Sequence, residues 1–135
     1  MKSLTSILLI CACSFYVSTS FTHAQNAADP FGNIKDALEK GNSKVLAEYF
    51  NTTIDLSVPG KENIYSKVQA ELIIKEFFFD NKPVSFRINH KGKSNDGSQY
   101  AIGTFKTSDK SFRSYFLVKK TNGKYLIHQM EIEEQ

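Results

Sequence analysis

Residues 99–120 read QYAIGTFKTSDKSFRSYFLVKK, and this stretch decides the fold class. Apolar and polar side chains alternate in the runs 99–107 and 112–120, which flank a short polar segment at 108–110. Alternation with a period of two is typical of a strand with one buried face. A connection this short requires the two strands to be antiparallel neighbours. The stretch therefore predicts a β-hairpin.

Two further runs of the same kind lie on either side of the hairpin. Residues 84–91 and 124–133 alternate in the same way, and the turns at 92–97 and 121–123 are rich in Gly, Asn, Asp or Ser. Such residues favour tight turns between strands. The second half of the chain is therefore predicted to be a four-stranded antiparallel meander.

The first half of the chain begins with helix signals. Asp29 and Pro30 form a typical helix start, and Gly41 is a typical helix end. Residues 42–50 then carry apolar side chains at helical spacing. Two short helices are therefore predicted before an alternating strand at 51–58.

A third helix is predicted after Pro59 and Gly60, which end that strand. Ser66 and Gln69 have the spacing of a capping box, in which the two side chains satisfy free amide groups at a helix start. The helix is predicted to reach about Phe79. Because its end is apolar nearly all round, we expect it to be buried in the core.

The predicted order is helix, helix, strand, helix and four antiparallel strands, an α+β layout with the N-terminal helices packed in a curved antiparallel sheet. Its most distinctive residues are FFF at 77–79, Phe86, HKG at 90–92, YAIGT at 100–104, FRSY at 112–115 and YLI at 125–127. With these residues the chain resembles a family of short exported bacterial proteins described only as a domain of unknown function. The layout is similar to the cone-shaped nuclear-transport-factor-2-like, or cystatin-like, fold. The resemblance implies the fold and an exported location, and it assigns no catalytic residue.

The first 24 residues have the pattern of a secretory signal peptide. Lys2 precedes an apolar run at 4–17, and polar residues and the sequence Thr22-His23-Ala24 follow. The run is shorter than the roughly 20 apolar residues that a membrane span needs. We predict cleavage after Ala24, which leaves a single domain at 25–135 without a membrane anchor, periplasmic or secreted.

An alternative processing site remains open at Cys13. The sequence Ile10-Cys11-Ala12-Cys13 has the character of a lipobox, in which Cys13 would become the lipidated first residue. The residues after Cys13 continue to be apolar, whereas a lipoprotein usually has a polar tether there. Cleavage after Ala24 is therefore the preferred prediction.

Composition argues against several classes of function. Both cysteines lie in the segment predicted to be removed, which leaves no thiol for a disulfide or a nucleophile. The remaining histidines, His90 and His128, are not spaced like metal ligands. Without Lys2 the chain has a net charge of +2, too weak to predict binding to nucleic acid. We expect no cofactor and no metal ion.

One predicted binding mode places a small apolar ligand inside the cone. Alternation puts His90 on the face of Phe86 and His128 on the face of Met130, and both faces are apolar. The residues expected around the ligand are Phe50, Phe77, Phe78, Phe86 and His128.

The other predicted mode places a protein partner or a second copy of the chain on the open face of the sheet. Arg113 and Tyr115 share a strand face, and alternation adds Tyr125 from the last strand. Arginine and tyrosine are enriched in protein interfaces. These three residues are therefore the predicted partner surface.

A catalytic alternative also remains open, because cone-shaped domains of this fold include isomerases and dehydratases. Such chemistry needs a carboxylate base and hydrogen-bond donors in one pocket. The chain could supply them from Tyr49, Asp55, Tyr100 and His128.

Overall fold

The computed structural model describes residues 29–135, so the predicted signal peptide and both cysteines lie outside the described residues. Three helices and six strands follow one another in this part of the chain. They are α1 (Gly32–Glu39), α2 (Ser43–Ala47), β1 (Phe50–Val58), β2 (Lys61–Ser66), α3 (Lys67–Asp80), β3 (Ser85–Lys93), β4 (Gln99–Lys106), β5 (Ser111–Thr121) and β6 (Lys124–Glu134). The predicted α+β class is confirmed. Within residues 29–135, no helix is long and apolar enough to cross a membrane.

All six strands form one sheet in the order β2-β1-β6-β5-β4-β3. The predicted meander of β3 to β6 is present, and each of its neighbouring pairs is antiparallel. β1 joins the meander by pairing parallel to β6, with Phe50 opposite Ile127 and Leu56 opposite Met130. The first strand of the fold is therefore held by the last.

β2 is absent from the sequence-based prediction. It pairs antiparallel with β1 after a tight turn in which Gly60 has a φ of +84°, a conformation that glycine adopts without steric cost. Five of its six side chains are exposed, and the strand lies at the edge of the sheet. Because an edge strand exposed on both faces needs no apolar alternation, its sequence carries no period-two signal.

The helix ends follow the chemistry that their sequences predict. The Asn42 side chain accepts a hydrogen bond from the Val45 amide at 3.1 Å, which starts α2. Gly41 ends α1 with a φ of +62°. At α3, the Gln69 amide donates to Ser66 Oγ while the Ser66 amide donates to Gln69 Oε1, so the capping box is confirmed.

α3 packs on the sheet through only one of its faces. Ala70, Ile74, Phe77 and Phe78 are buried, whereas Val68, Leu72 and Phe79 are exposed. The prediction that the whole helix is buried is therefore wrong. The buried face meets α2 and the sheet, and no other helix or strand of residues 29–135 covers the opposite face, so its apolar side chains stay exposed.

The hydrophobic core lies between the helices and one face of the sheet, which we call the inner face. Eight phenylalanines are buried there: Phe31, Phe50, Phe77, Phe78, Phe86, Phe105, Phe112 and Phe116. Their rings contact one another, with Phe77 and Phe112 edge to face at 5.3 Å and Phe77 and Phe105 at 5.7 Å. Aromatic pairs at these distances stabilise a core beyond the area they bury.

Two β-bulges interrupt the alternation of the strands. In β3, Ile88 lies opposite Gly103 and His90 opposite Ile102, so Asn89 is an extra residue. In β6, Gln129 lies opposite Leu117 and Ile127 opposite Val118, so His128 is an extra residue. One extra residue exchanges the faces of all side chains on one side of the bulge.

These bulges correct two predictions about the histidines. His90 is exposed on the face opposite Phe86, where its ring lies beside Tyr100. His128 is only partly buried, and its Nε2 lies 3.2 Å from Thr121 Oγ1. Neither histidine points into the core, because alternation was broken just before His90 and at His128 itself.

Candidate functional site

The space between the helices and the inner face is filled by side chains. Phe50, Phe78 and Phe86 are each at most 6% exposed. Phe86 packs edge to face on Phe116 with ring centroids 5.9 Å apart. Because His128 lies on the opposite face of the sheet from the four phenylalanines, the structure does not bring the five residues expected around the ligand together.

A single polar atom interrupts this apolar interior. Ser114 is fully buried, and its Oγ has no hydrogen-bond partner among the described residues. It lies between Gly103 on β4 and Ile132 on β6. A Cβ added to Gly103 would lie 2.6 Å from the Phe86 ring, so only glycine leaves room for this ring on the inner face of β4.

The outer face of the sheet, which points away from the helices, has an aromatic centre. The Tyr100 and Tyr115 rings stack with centroids 6.2 Å apart, and His90 Nε2 lies 3.3 Å from the Tyr100 hydroxyl. Ile102 pairs with Tyr115, and Leu117 pairs with Tyr100. We call these five residues, all at least partly exposed, the aromatic patch.

Charged side chains divide the rest of the outer face into two halves. Strand register places four acidic residues on β2, β1 and β6, the acidic half: Asp55, Glu62, Glu131 and Glu133. It places four basic residues on β3, β4 and β5, the basic half: Arg87, Lys106, Arg113 and Lys119. The four ion pairs found within residues 29–135 include none of these eight side chains.

The boundary between the halves runs between β6 and β5, and the aromatic patch lies on the basic side of it, on β3, β4 and β5. Tyr115 pairs with Glu131, and Arg113 pairs with Glu133. Partial burial, together with the negative charge of Glu131, raises the pKa of Tyr115. The Tyr115 hydroxyl therefore stays protonated and remains a hydrogen-bond donor at neutral pH.

The predicted partner surface is only partly on this face. Arg113 and Tyr115 lie on it, as the unbroken alternation of β5 predicts. Tyr125 instead packs against the core side of the sheet, with Lys120 Nζ 5.9 Å from its ring centroid. The bulge at His128 is the reason, since it places Ile127, and Tyr125 with it, on the same face as Met130.

The residues of the catalytic alternative do not meet in one pocket. Asp55 is exposed on the outer face, and Tyr100 belongs to the aromatic patch there. Tyr49 packs against the core on the side of the helices. Within residues 29–135 there is also no group of three or more His, Cys, Asp or Glu side chains that could hold a metal ion.

A groove that sequence reasoning missed lies beside α3, on the side of the helices. Its volume is about 740 Å³. Its apolar lining comes from Leu72, Phe78, Phe79 and Pro83, and three lysines stand around it, Lys40, Lys75 and Lys82. We call it the α3 groove. The signal for it was present in the sequence, because α3 has more apolar residues than one buried face can use.

Comparison with known proteins gives a family and a fold. The family model described as "Domain of unknown function (DUF4783)" matches residues 31–133. The crystal structure of a DUF4783 family protein from Bacteroides ovatus ATCC 8483 is 33% identical, covers 77% of this chain and 94% of its own, and has a TM-score of 0.72. No curated protein matches the chain.

Two more distant structures are similar in fold alone. An NTF2-like protein of unknown function from Shewanella baltica OS155 is 16% identical, with a TM-score of 0.56, and covers 76% of this chain and 86% of its own. A domain of unknown function with a cystatin-like fold from Nostoc punctiforme PCC 73102 is 14% identical, with a TM-score of 0.61, and covers 76% and 71%. The predicted nuclear-transport-factor-2-like, or cystatin-like, fold is confirmed.

Proposed function

The chain belongs to the DUF4783 family of domains of unknown function, and we propose that it is an exported, non-enzymatic binding domain whose outer sheet face docks a second copy of the chain. The observation that carries the proposal is the division of this face into an acidic half on β2, β1 and β6 and a basic half on β3, β4 and β5, which also carry the aromatic patch. Export follows from the signal-peptide pattern of residues 1–24.

A second copy fits this face because the charge pattern is complementary to itself. In a two-fold symmetric dimer the same surface meets itself, and each contact occurs twice. A two-fold axis that lies between the two sheets, parallel to the strands and level with the boundary between β6 and β5, sets the acidic half of each protomer against the basic half of the other. Four acidic and four basic side chains then find opposite charges across the interface.

The aromatic patch supplies the apolar contact of such a dimer. Tyr100, Tyr115, Ile102 and Leu117 lie on β4 and β5, next to the boundary between the halves, and are only partly buried in the single chain. Tyrosines at an interface centre are frequent sources of binding energy. The surrounding charges contribute little affinity in water, and they fix the relative orientation of the two copies.

The packing inside the cone also favours the outer face as the binding surface. Its phenylalanines pack against one another, and Ser114 Oγ is the polar group that the structure leaves without a partner there. A protein surface on the outer face needs no space inside the cone. The geometry of the described residues therefore favours the surface over a ligand enclosed by Phe50, Phe78 and Phe86.

The test uses two charge variants of the chain that begins at Gln25. Asp55→Lys with Glu131→Lys makes the outer face mostly basic, and Arg87→Glu with Arg113→Glu makes it mostly acidic. Native mass spectrometry and sedimentation equilibrium should find the unaltered chain as a dimer and each variant as a monomer. An equimolar mixture of the two variants should form the heterodimer.

A matched control is Glu48→Lys, which reverses an exposed charge on the side of the helices. This variant should dimerise like the unaltered chain. If the unaltered chain is still a monomer at about 100 μM, its self-association is weaker than the binding in most specific complexes, and this would contradict a self-docking function. Charge variants that each remain dimeric on their own would show that the dimer forms elsewhere.

A further inference from the structure

The α3 groove exposes apolar side chains that the fold does not use. Of the side chains that line it, Phe79 is 88% exposed and Leu72 is 60% exposed. Val68, one helical turn before Leu72 and outside the groove lining, is 68% exposed. Positions 68, 72 and 79 fall on one face of a helix, opposite the buried Ala70 and Ile74. A contiguous apolar surface of this kind usually marks a binding site. It lies on the side of the helices, so docking on the outer sheet face leaves it open.

The closed end of the groove is held in place by close packing. A Cβ added to Gly41 would lie 3.0 Å from Pro83 Cγ and 3.9 Å from the Phe78 ring. Gly41 also has a φ of +62°, which disfavours any other residue. Asn81 Nδ2 donates to the carbonyl of Phe77 at 3.1 Å and secures the chain where it leaves α3. The groove is therefore formed before any ligand arrives.

The charge around the groove is positive. Lys40, Lys75 and Lys82 stand at the groove and take part in none of the ion pairs found in residues 29–135. The carboxylate at the groove, Glu76, is already paired with Lys61. An occupant of this site therefore meets an apolar lining and three uncompensated ammonium groups.

We infer that the α3 groove binds a single-chain anionic amphiphile, an aliphatic chain that ends in a carboxylate. The chain would lie along Leu72, Phe78 and Phe79, and the carboxylate would be bound by the lysines. The volume of about 740 Å³ is in the range of small-molecule sites. A protein partner would need about 800 Å² of its own surface buried, more than one such groove offers.

The probe is sodium decanoate, titrated below its micelle concentration into ¹⁵N-labelled protein and followed by NMR. Two probes with the same ten-carbon tail serve as comparisons: neutral decyl maltoside and cationic decyltrimethylammonium. Decanoate should shift the amide signals of residues at the groove. It should bind at least about tenfold more tightly than the cation, because only the anion is attracted by the lysines.

Variants separate the apolar part of the site from the charged part. Phe79→Ser and Leu72→Ser should each weaken decanoate binding about tenfold, since each removes apolar surface that the tail would cover. Lys75→Gln with Lys82→Gln should lower the affinity for decanoate and leave that for decyl maltoside unchanged. All these side chains are exposed, so the variants should fold.

Matched controls come from the rest of the surface. Ile64→Ser changes a side chain that is also 68% exposed, but on β2, and Lys93→Gln with Lys124→Gln removes two exposed charges away from the groove. These controls should bind decanoate normally, and Phe79→Ser should leave the dimer intact. The proposal for the α3 groove and the proposal for the self-docking surface can therefore be contradicted independently of each other.

Several outcomes would overturn the inference. No decanoate binding at millimolar concentration would do so, and so would equal affinity for the anion and the cation. Unchanged binding by Phe79→Ser and Leu72→Ser would place the ligand elsewhere. Association with anionic vesicles in the absence of decanoate binding would assign the groove to a membrane surface instead.

Discussion

The two faces of the same sheet show how one set of strands can serve two purposes. On the inner face β4 and β5 carry Phe105, Phe112 and Phe116, all buried. On the outer face the same strands carry Tyr100 and Tyr115, which stack but keep contact with water. The phenylalanines of the inner face are buried against the helices, whereas the tyrosines and charged side chains of the outer face are suited to a partner that binds from solution. Stability should depend on the first face and association on the second.

The largest expected difference between the faces is in the free energy of unfolding. Phe105→Ala should lower it by about 3 to 5 kcal/mol, because the change leaves a cavity among Phe77, Phe78 and Phe112. Tyr115→Ala should lower it by about 1 kcal/mol or less in the monomer. Urea denaturation of both variants measures this. Similar losses would mean that the outer face is part of the core.

Substitution of two glycines, one on each face, compares how rigidly the two faces are packed. A Cβ at Gly103 would lie 2.8 Å from the Arg87 carbonyl oxygen, which the sheet holds in place, so Gly103→Ala should cost about 1 to 3 kcal/mol of stability. A Cβ at Gly92 would meet only the end of the Tyr100 ring, at 2.3 Å. On the outer face that ring can swing towards solvent.

Gly92→Ala should therefore cost less stability than Gly103→Ala and should instead disrupt the stack of Tyr100 on Tyr115. Near-ultraviolet circular dichroism reports the stack directly, since the chain contains no tryptophan. Urea denaturation gives the stability of both variants. A greater loss for Gly92→Ala would indicate that the aromatic patch is as rigid as the core.

Substitution of Ser114 tests whether the inner face needs a polar group at this position. Ser114→Ala removes a buried hydroxyl without a partner and should raise the free energy of unfolding by about 1 kcal/mol. Ser57→Ala, on the outer face, should change it by less than about 0.5 kcal/mol. If Ser114→Ala is destabilising, the hydroxyl has a partner in solution, such as a buried water molecule.

The smallest expected effect concerns His128 on the outer face. Partial burial and the positive charge of Lys119 hold its pKa below the ordinary value of 6.5. The unfolded chain thus binds this proton more readily, so the stabilising contribution is complete above pH 6.5 and is lost as the pH falls through the folded-state pKa. His128→Gln should flatten the decrease of stability between pH 7.5 and pH 5, measured by urea denaturation. Parallel pH profiles would contradict this.

Local chemistry predicted most of the elements of the fold. The capping box at Ser66 and the helix end at Gly41 depend on neighbouring residues only, and both are found as expected. The faces of Arg113 and Tyr115 were also predicted correctly, because β5 alternates without interruption. Each of these features can be worked out within a few residues of sequence.

The bulges could not be predicted in the same way. Around Asn89 three polar residues follow one another, and no apolar side chain marks the register there. In β6, Leu126 and Ile127 are both apolar, so either residue could face the core. The choice is made by the pairing of Ile127 with Val118 on the neighbouring strand and with Phe50, which lies far away in the sequence.

The α3 groove also depends on contacts between distant segments. Helical spacing predicted that Val68 and Leu72 belong to the buried face of α3, whereas the structure buries the face of Ala70 and Ile74. The close approach of Pro83 to Gly41 depends on the path of the chain between distant segments, and no sequence pattern near either residue indicates it. The candidate site was therefore predictable as an excess of apolar residues, and its position was not.

The parallel pairing of β1 with β6 has a consequence for the timing of folding. Phe50 can reach Ile127 only after almost the whole chain has been synthesised, so the sheet stays open until its last strand arrives. Deletion of β6 should leave a chain that stays open in solution, because β1 then has only β2 beside it. The C-terminal strand joins the pair of β2 and β1 to the group of β5, β4 and β3, so the sheet becomes one unit only when this strand pairs.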